Sequence, residues 1–291
     1  MEWLDSPDRV LILPALVAAL AIAVQAGALS AFVVLKRLAF IGQGVSHAAF
    51  GGVGLAAVLG LTTGGGLTSL GYFGFIGLFC IATALGIAWV SDRRGLREDT
   101  VIGIFLVASM ALGFLLLHVH SKTHQGDRPP SIETWLFGSL LEVGRPDAIA
   151  ACIVGAILLA TLWVLRRPML FWAFDEPAAR ASGVRVGLMR SVLMAMLAVA
   201  IVVSMKLAGA VLATALPVLP GAIALRLSNR LGPVMAISMG SALVGVLAGF
   251  VVSFETDWPT GSCLVGVLVL MFALTWPVRW LVHRLAPRPA S

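Results

Sequence analysis

Val10–Leu35 reads VLILPALVAALAIAVQAGALSAFVVL and contains no aspartate, glutamate, lysine or arginine. An α-helix rises about 1.5 Å per residue, so about 20 apolar residues cross a bilayer core of roughly 30 Å. The stretch is therefore long enough to span a membrane once. Acidic residues, Glu2, Asp5 and Asp8, precede it where a secretory signal would have basic ones, so we expect this helix to remain in the chain.

The same uncharged pattern recurs along the rest of the chain. Leu38–Ser91 is long enough for two crossings joined by a glycine-rich turn near 62–66. The segment 191–225 contains one charge, Lys206, and could hold one long or two short crossings. Four more windows each suit one crossing: Thr100–Ser121, Ala148–Leu165, Leu231–Phe254 and Trp258–Val278. The sequence predicts an all-α polytopic membrane protein with eight or nine transmembrane helices in a single domain, 1–291.

The composition excludes the main alternative classes of protein. Of 291 residues, 59% are hydrophobic and 12% are charged, which is about half the charged share of a soluble domain. Mean hydropathy is +1.01, which also excludes a disordered chain. The formal net charge of +6 comes from basic residues in short loops, without a lysine run, so we expect no nucleic-acid partner.

The distribution of the basic residues predicts the orientation of the chain. Loops rich in lysine and arginine stay in the cytoplasm, and here they include Lys36–Arg37, Arg93–Arg97 and a loop at 172–186. Alternation then places the acidic N-terminus and the loop 119–147 outside, and the C-terminus in the cytoplasm. Because this orientation needs an odd number of crossings, nine is favoured, two of them short.

The second span is the least uniformly apolar one. It reads AFIGQGVSHAAFGGVG over 39–54, in which Gln43, His47 and Gly51 recur at intervals of four and share a helical face. An imidazole at membrane depth requires a partner, so His47 either lines a substrate pathway or donates to a carbonyl of a neighbouring helix. A stripe of small residues beside this face is typical of transmembrane helices in close contact. It consists of Gly44, Ala48 and Gly52.

A short surface helix is predicted in the loop after the fifth span. Asp175 can cap a helix that Glu176 and Pro177 begin and that Gly183 ends. Such a helix could dock into a soluble partner, or it could be an ordinary interfacial helix. The spacing alone favours the second interpretation.

Prolines interrupt the apolar run that follows Lys206. Pro217 and Pro220 each remove a backbone donor, and the freed carbonyls need other partners or a water-lined cavity. Broken helices often flank transport sites, although a structural kink explains the prolines about equally well. We expect Lys206 at the outer mouth, where its ammonium group reaches water.

Three histidines cluster around the start of the loop 119–147. His118, His120 and His124 could meet on an extended strand or turn and collect metal ions outside the membrane. A solvated polar loop explains them equally well.

The chain lacks the motifs of an enzyme. No GxxxxGK[ST] phosphate-binding loop, HExxH or GxSxG sequence occurs in it. We therefore expect a transport subunit rather than an enzyme, with any energy supplied by another protein.

Five segments, taken in order, carry a family resemblance. They are GQGVSHA at 42–48, ED at 98–99 followed by GIF at 103–105, WLFG at 135–138, FDEPAARASG at 174–183 and the stretch 202–222. Together they resemble the permease subunits of bacterial ABC importers for zinc, manganese or iron(II), and they cover nearly the whole chain.

The resemblance implies a type II ABC importer-like permease bundle in the bacterial inner membrane, paired with a second permease in a homodimer or a heterodimer. It implies a cytoplasmic ATP-binding subunit and an extracytoplasmic metal-binding protein as partners, and a transported divalent metal ion instead of an intrinsic cofactor. His47 matches the family's membrane histidine, and Gln43 stands where the family usually has aspartate. The helix that couples to the ATPase matches Asp175, Glu176, Pro177, Ala178, Ala179, Arg180, Ala181, Ser182 and Gly183.

These observations predict a permease that imports zinc or manganese, or iron, through a transient site formed by His47 and Gln43 of two copies. Two alternatives remain open, an ABC permease for a siderophore or vitamin and a proton-coupled secondary carrier. The near absence of acidic residues within the spans argues against the carrier, because proton relays generally need them.

Overall fold

The computed structural model describes residues 9–61, 67–94, 96–123 and 143–285. Within these ranges the chain is helical and forms no strand, which confirms the predicted all-α fold. The helices are α1 Arg9–Leu35, α2 Ile41–Val58, α3 Leu67–Arg94, α4 Glu98–Thr123, α5 Arg145–Phe174, α6 Glu176–Ala181, α7 Val186–Ala215, α8 Leu219–Leu227, α9 Leu231–Thr256 and α10 Thr260–Leu285.

Seven segments of the described chain are long and apolar enough to cross a membrane. They lie in α1, α3, α4, α5, α9, α10 and the combined segment Val186–Leu227, which contains α7 and α8. α2 is a further helix of 18 residues, whose apolar character is diluted by glycines, Gln43 and His47. Most of its residues are buried, so protein surrounds much of it. The seven segments and α2 are consistent with the eight or nine crossings expected from the sequence.

α5 runs further than its uncharged sequence window indicated. It continues past two arginines and Pro168 to Phe174, so these charges do not end the helix. The guanidinium carbon of Arg166 lies 3.8 Å from the centre of the Trp163 ring. A long basic side chain held against an aromatic ring in this way can keep its charge near water while its backbone stays helical.

α7 is interrupted at Gly209. This residue has φ 81° and ψ 167°, a conformation essentially restricted to glycine. The residues on both sides are helical, so α7 consists of two helical parts joined by a kink. The helix ends at Ala215, and Pro220 lies in the first turn of α8. The interruption expected at the prolines is therefore present, and Gly209 adds another that the sequence analysis did not identify.

Serine hydroxyls connect α1 to two other helices. The Gly221 amide of α8 donates to Ser30 Oγ at 2.7 Å, and Ser238 Oγ of α9 donates to the Gly27 carbonyl oxygen at 2.6 Å. Both acceptors lie in α1, which also packs against α5. Such bonds satisfy polar groups that hydrocarbon could not, and they fix α1 among its neighbours.

α2 makes its most extensive contact with α4. A methyl group added at Gly44 would lie 2.7 Å from a side-chain carbon of Ile102, and one added at Gly54 would lie 2.8 Å from the Gly113 carbonyl oxygen. The two helices therefore touch through their glycines over several turns. Because a packed interior transmits displacement, α2 and α4 should move as a pair.

Large apolar side chains cover much of the outer surface. Val164 is 77% exposed, and Val107 and Leu270 are each more than 60% exposed. Soluble monomers rarely present contiguous apolar surface on this scale. The surface is that of a protein in contact with lipid.

Candidate functional site

The polar face predicted on α2 opens onto the surface of the chain. Gln43 is exposed and His47 is partly exposed, whereas Gly44 and Ala48 of the neighbouring stripe are buried, as predicted. Gly51 is also buried and does not extend the polar face. Each step of four residues turns a helix by about 40°, so the third position has rotated away from the direction of Gln43.

Aromatic rings continue the open face beyond His47. The rings of His47 and Phe50 stack with centroids 6.2 Å apart, and Phe50 stacks on Phe114 of α4 at the same separation. Phe114 is 52% exposed, so this row of rings reaches the surface. The site therefore consists of the polar pair Gln43 and His47 beside an aromatic wall.

His47 turns one ring nitrogen toward the interior. Its Nδ1 atom is buried and has no hydrogen-bond partner among the described residues. The residue as a whole is partly exposed. A neutral imidazole nitrogen is the commonest metal ligand in proteins, and an uncharged amide oxygen such as that of Gln43 is a weaker one.

A single chain does not supply a complete metal site in its described part. No group of three histidine, cysteine, aspartate or glutamate residues that could hold a metal ion occurs there. Gln43 and His47 offer at most about two ligands, whereas divalent metal ions take about four to six. Further ligands would come from water or from a second chain placed against this face.

The histidines at the end of α4 do not adopt the arrangement that the sequence allowed. α4 continues to Thr123, so His118 and His120 lie on a helix, where residues two apart point in nearly opposite directions. They therefore cannot hold one ion from a common face of that helix. His124 lies outside the described residues, as does most of the predicted loop 119–147.

The short helix predicted after the fifth span is present as α6. The Ala178 amide donates to Asp175 Oδ1 at 2.9 Å, which caps the N-terminus of the helix. Pro177 lies in the first turn, and Gly183 follows the helix with φ 84°, a conformation that favours glycine. The start and the end of this helix are thus as the sequence indicated.

Ion pairs anchor α6 to one end of the bundle. Lys36 Nζ lies 2.9 Å from Glu176 Oε2, and Arg190 Nη2 lies 3.3 Å from Glu176 Oε1. The same guanidinium group lies 3.0 Å from an oxygen of Asp92 and 3.2 Å from one of Glu98. We call these five residues the hub, and the end of the bundle that carries them the hub end. The two basic side chains are each 13% exposed, so solvent screens the pairs less than at an open surface.

A separate ion pair lies far from the hub. Lys206 Nζ is 2.7 Å from Asp147 Oδ1 and 4.5 Å from the centre of the Phe73 ring. Sixteen residues of α7 separate Lys206 from Arg190, a rise of about 24 Å along a helix. This is most of the thickness of a bilayer core, so Lys206 and the hub lie near opposite sides of the membrane-spanning part of the bundle.

The hub lowers the pKa of Glu176. Burial alone raises the pKa of this carboxyl group, but the hydrogen bond and charge of Lys36 and the charge of Arg190 outweigh burial, so the pKa lies below its ordinary value of 4.5. A carboxylate whose pKa is lowered by folding stabilises the folded state above its ordinary pKa. That stabilisation is lost as the pH falls through the folded-state pKa.

We expect Glu176→Gln to lower the melting temperature at neutral pH and to matter less as the pH falls below the ordinary pKa of 4.5. Partly exposed ion pairs contribute about 1 kcal/mol, which corresponds to about 2–4 °C in a protein of this size. Thermal unfolding in detergent from neutral to acidic pH measures the difference. Glu255→Gln, which removes an exposed carboxylate outside the hub, should change the melting temperature little at any pH. A Glu176→Gln effect that grows on acidification would contradict the prediction.

The sequence analysis did not identify the hub as a cluster. Arg190 and Asp92 are 98 residues apart and meet because the helices that carry them end at the same level of the bundle. The predicted orientation of the spans is the sequence signal that could have indicated the hub, since both residues border spans whose charged ends were expected on one side of the membrane.

Comparison with known proteins identifies related chains. Residues 8–278 match the ABC 3 transport family. The manganese transport system membrane protein MntC of Halalkalibacterium halodurans is 31% identical over 264 residues, which cover 90% of this chain and 85% of that protein. The probable iron transport system membrane protein of Haemophilus influenzae is 27% identical over 275 residues, which cover 94% of this chain and 96% of that protein.

Solved structures show the same fold. PsaBC from Streptococcus pneumoniae in complex with Fab aligns with a TM-score of 0.76 at 26% identity, over 94% of this chain and 95% of that one. An inward-facing conformation of a putative metal-chelate type ABC transporter aligns with a TM-score of 0.65 at 18% identity, over 98% of this chain and 91% of that one. This second similarity shows a shared fold alone. Since the family match spans nearly the whole sequence and extends over every described helix but the last turns of α10, the chain belongs to the ABC 3 transport family.

Proposed function

We propose that this chain is the membrane permease subunit of an importer for a divalent transition-metal ion, with manganese as the first candidate, then iron and zinc. The observation that carries the proposal is the open face of α2, where partly exposed His47 lies one helical turn from exposed Gln43. The relatives described above are named as manganese and iron transport proteins, which supports this class of cargo.

A second permease copy completes the metal site in this proposal. Two copies related by a two-fold axis beside α2 would bring two His47 and two Gln43 side chains together, which makes four ligands. The surrounding surface suits such an interface because it is apolar. Ile104 and Phe114 of α4 are 57% and 52% exposed in the single chain.

The proposed ligands suit transport of a divalent ion better than its tight retention. Imidazole and amide groups are uncharged and include no thiolate, so they bind a divalent ion with modest affinity and release it. The aromatic wall formed by Phe50 and Phe114 borders the same face and would limit the water around the ion. Gln43 in place of a carboxylate lowers the affinity further.

In this proposal the hub end faces the cytoplasm and α6 docks into a separate ATP-binding subunit. Arg180 of α6 has a side chain that is 67% exposed and lies 3.6 Å from Glu176 of the same helix, a loose surface pair that a partner could replace, while Glu176 is tied to the bundle through Lys36. An extracytoplasmic binding protein would deliver the ion at the end marked by Lys206. Closure of the ATP-binding subunits would move α6 and rock the bundle between outward and inward openings.

Uptake into proteoliposomes tests the proposal. The chain is reconstituted with the ATP-binding subunit that co-purifies with it, and uptake of Mn(II), Fe(II) and Zn(II) is compared with and without ATP. We expect ATP-dependent uptake, fastest for Mn(II). Transport that persists without any ATP-binding subunit would favour a secondary carrier. Uptake of a chelated metal but not of free ions would favour a permease for a larger solute.

A further inference from the structure

The guanidinium group of Arg190 is shared by carboxylates from three helices. It lies 3.0 Å from Asp92 at the end of α3, 3.2 Å from Glu98 at the start of α4 and 3.3 Å from Glu176 in α6. The Arg190 side chain is 13% exposed. Nη1 and Nη2 donate hydrogen bonds to Asp92 and Glu176, whereas Nε faces Glu98 at ion-pair distance and has no hydrogen-bond partner among the described residues. Because the guanidinium is planar and rigid, it cannot follow one carboxylate without changing its contact with the others.

α6 is connected to the bundle through a small set of contacts. It packs against the end of α5 and the start of α7, and Ala179 is its buried residue. Glu176 uses one carboxylate oxygen for Lys36 and the other for Arg190. Lys36 is also held over the Trp172 ring, 4.2 Å from its centre. A displacement of α6 therefore acts on both Lys36 and Arg190, and of the two only Arg190 also contacts carboxylates of α3 and α4.

Glu98 links Arg190 to the helix that supports the candidate metal site. It is the first residue of α4, and α4 is the main contact of α2. A methyl group added at Gly113 of α4 would lie 2.6 Å from the Phe50 carbonyl oxygen of α2. The rings of Phe114, Phe50 and His47 then form one stack. A shift of α4 therefore carries the imidazole with it.

The link from Arg190 to α3 differs from the link to α4. The Asp92 side chain is 46% exposed, against 24% for Glu98. A more exposed ion pair is screened more strongly. Arg190 Nη1 nevertheless donates a hydrogen bond to Asp92 at 3.0 Å, which holds the guanidinium on α3, and α3 contacts α2 less extensively than α4 does. Asp92 should therefore steady Arg190 without passing its movement on to the His47 face.

We propose that Arg190 is a positioning residue that transmits the displacement of α6 through Glu98 to α4, and so reorients the His47 face of α2 when the ATP-binding subunits close. The inference rests on the proposed docking of α6. It requires two arrangements of the hub, one with Arg190 on both Glu98 and Glu176 and one with Arg190 on a single carboxylate. The change between these two arrangements is the two-state element that would couple α6 to α2, and it can be tested.

Thiol labelling of a Gln43→Cys variant measures this movement independently of the ion transported. The variant also carries Cys152→Ala, because Cys152 is exposed while Cys80 and Cys263 are buried. The complete complex with its ATP-binding subunit is labelled with a maleimide, with and without a non-hydrolysable ATP analogue. We expect the nucleotide to change the labelling rate by at least about fivefold, the lower end of typical allosteric coupling.

Three variants made in the Gln43→Cys, Cys152→Ala background test whether Arg190 transmits movement through Glu98 or only stabilises the fold. Glu98→Gln and Arg190→Gln should each abolish the nucleotide response, and the double variant should behave like either single one, because both remove the same link. Asp92→Asn is the matched control, since it removes a carboxylate from the same guanidinium, and it should keep at least about half of the response. Melting temperature and ATP hydrolysis are measured on each preparation.

A Glu98→Gln variant with the full nucleotide response overturns the inference, and so does an Asp92→Asn variant that loses the response equally. Absence of any response in the parent background, with the ATP-binding subunit bound and active, also overturns it. These outcomes leave the metal assignment unaffected, because the uptake assay decides that separately.

Discussion

His47→Ala should lower the initial rate of ATP-dependent Mn(II) uptake at least about tenfold, since loss of even an indirect partner of a metal ligand typically costs about 10–100-fold. The variant should remain folded, because the ring is partly exposed and its Nδ1 atom has no hydrogen-bond partner among the described residues. The change therefore removes a ligand and a ring stack with Phe50, without leaving a buried polar group unpaired. Uptake, ATP hydrolysis and melting temperature are measured on one preparation.

His118→Ala is the matched control for this prediction. It removes the same type of side chain from an exposed position near the end of α4. We expect uptake to stay within about twofold of the wild type, because solvent-exposed surface changes are usually close to neutral. Normal uptake by a folded His47→Ala protein would exclude His47 from the pathway. A loss as large in His118→Ala would show that a histidine outside α2 takes part.

Features encoded by neighbouring residues could be predicted from the sequence. The cap at Asp175, the proline in the first turn and the terminal Gly183 specify α6 within nine residues, and the structure has that helix. The buried stripe beside His47 follows in the same way from helical periodicity. In both cases the physical cause lies within a few turns of one helix, so one sequence is sufficient to show it.

Features that depend on distant contacts could not be predicted in this way. Gly209 resembles the other glycines of an apolar helix, and only its position between two helical parts gives it a positive φ. The hub combines residues from four helices and the turn after α1, and no spacing rule connects them. The pairing of His118 with His120 was assumed on an extended segment, whereas the helix continues because its apolar surface is long enough to include them.

Gly113→Ala should lower the melting temperature by about 6–12 °C, or prevent folded protein from accumulating, because overpacking of this kind costs about 3 kcal/mol or more. The added methyl group would lie 2.6 Å from the carbonyl oxygen of Phe50, 2.7 Å from its carbonyl carbon and 2.9 Å from the Gly51 nitrogen. All three are backbone atoms inside a packed helix pair, and they cannot rotate aside as the end of a side chain can. α2 and α4 would have to separate.

Gly103→Ala provides the comparison on the same helix. An added methyl group there meets no atom within 4 Å, and alanine favours a helix over glycine by up to about 1 kcal/mol, so this variant should melt at or slightly above the wild-type temperature. Thermal unfolding in detergent distinguishes the two variants. If Gly113→Ala melts like the wild type, α2 and α4 are not held backbone to backbone, and α4 loses its means of moving His47. If Gly113→Ala alone is destabilised, the glycine contact is what keeps the imidazole face attached to the helix that begins at Glu98.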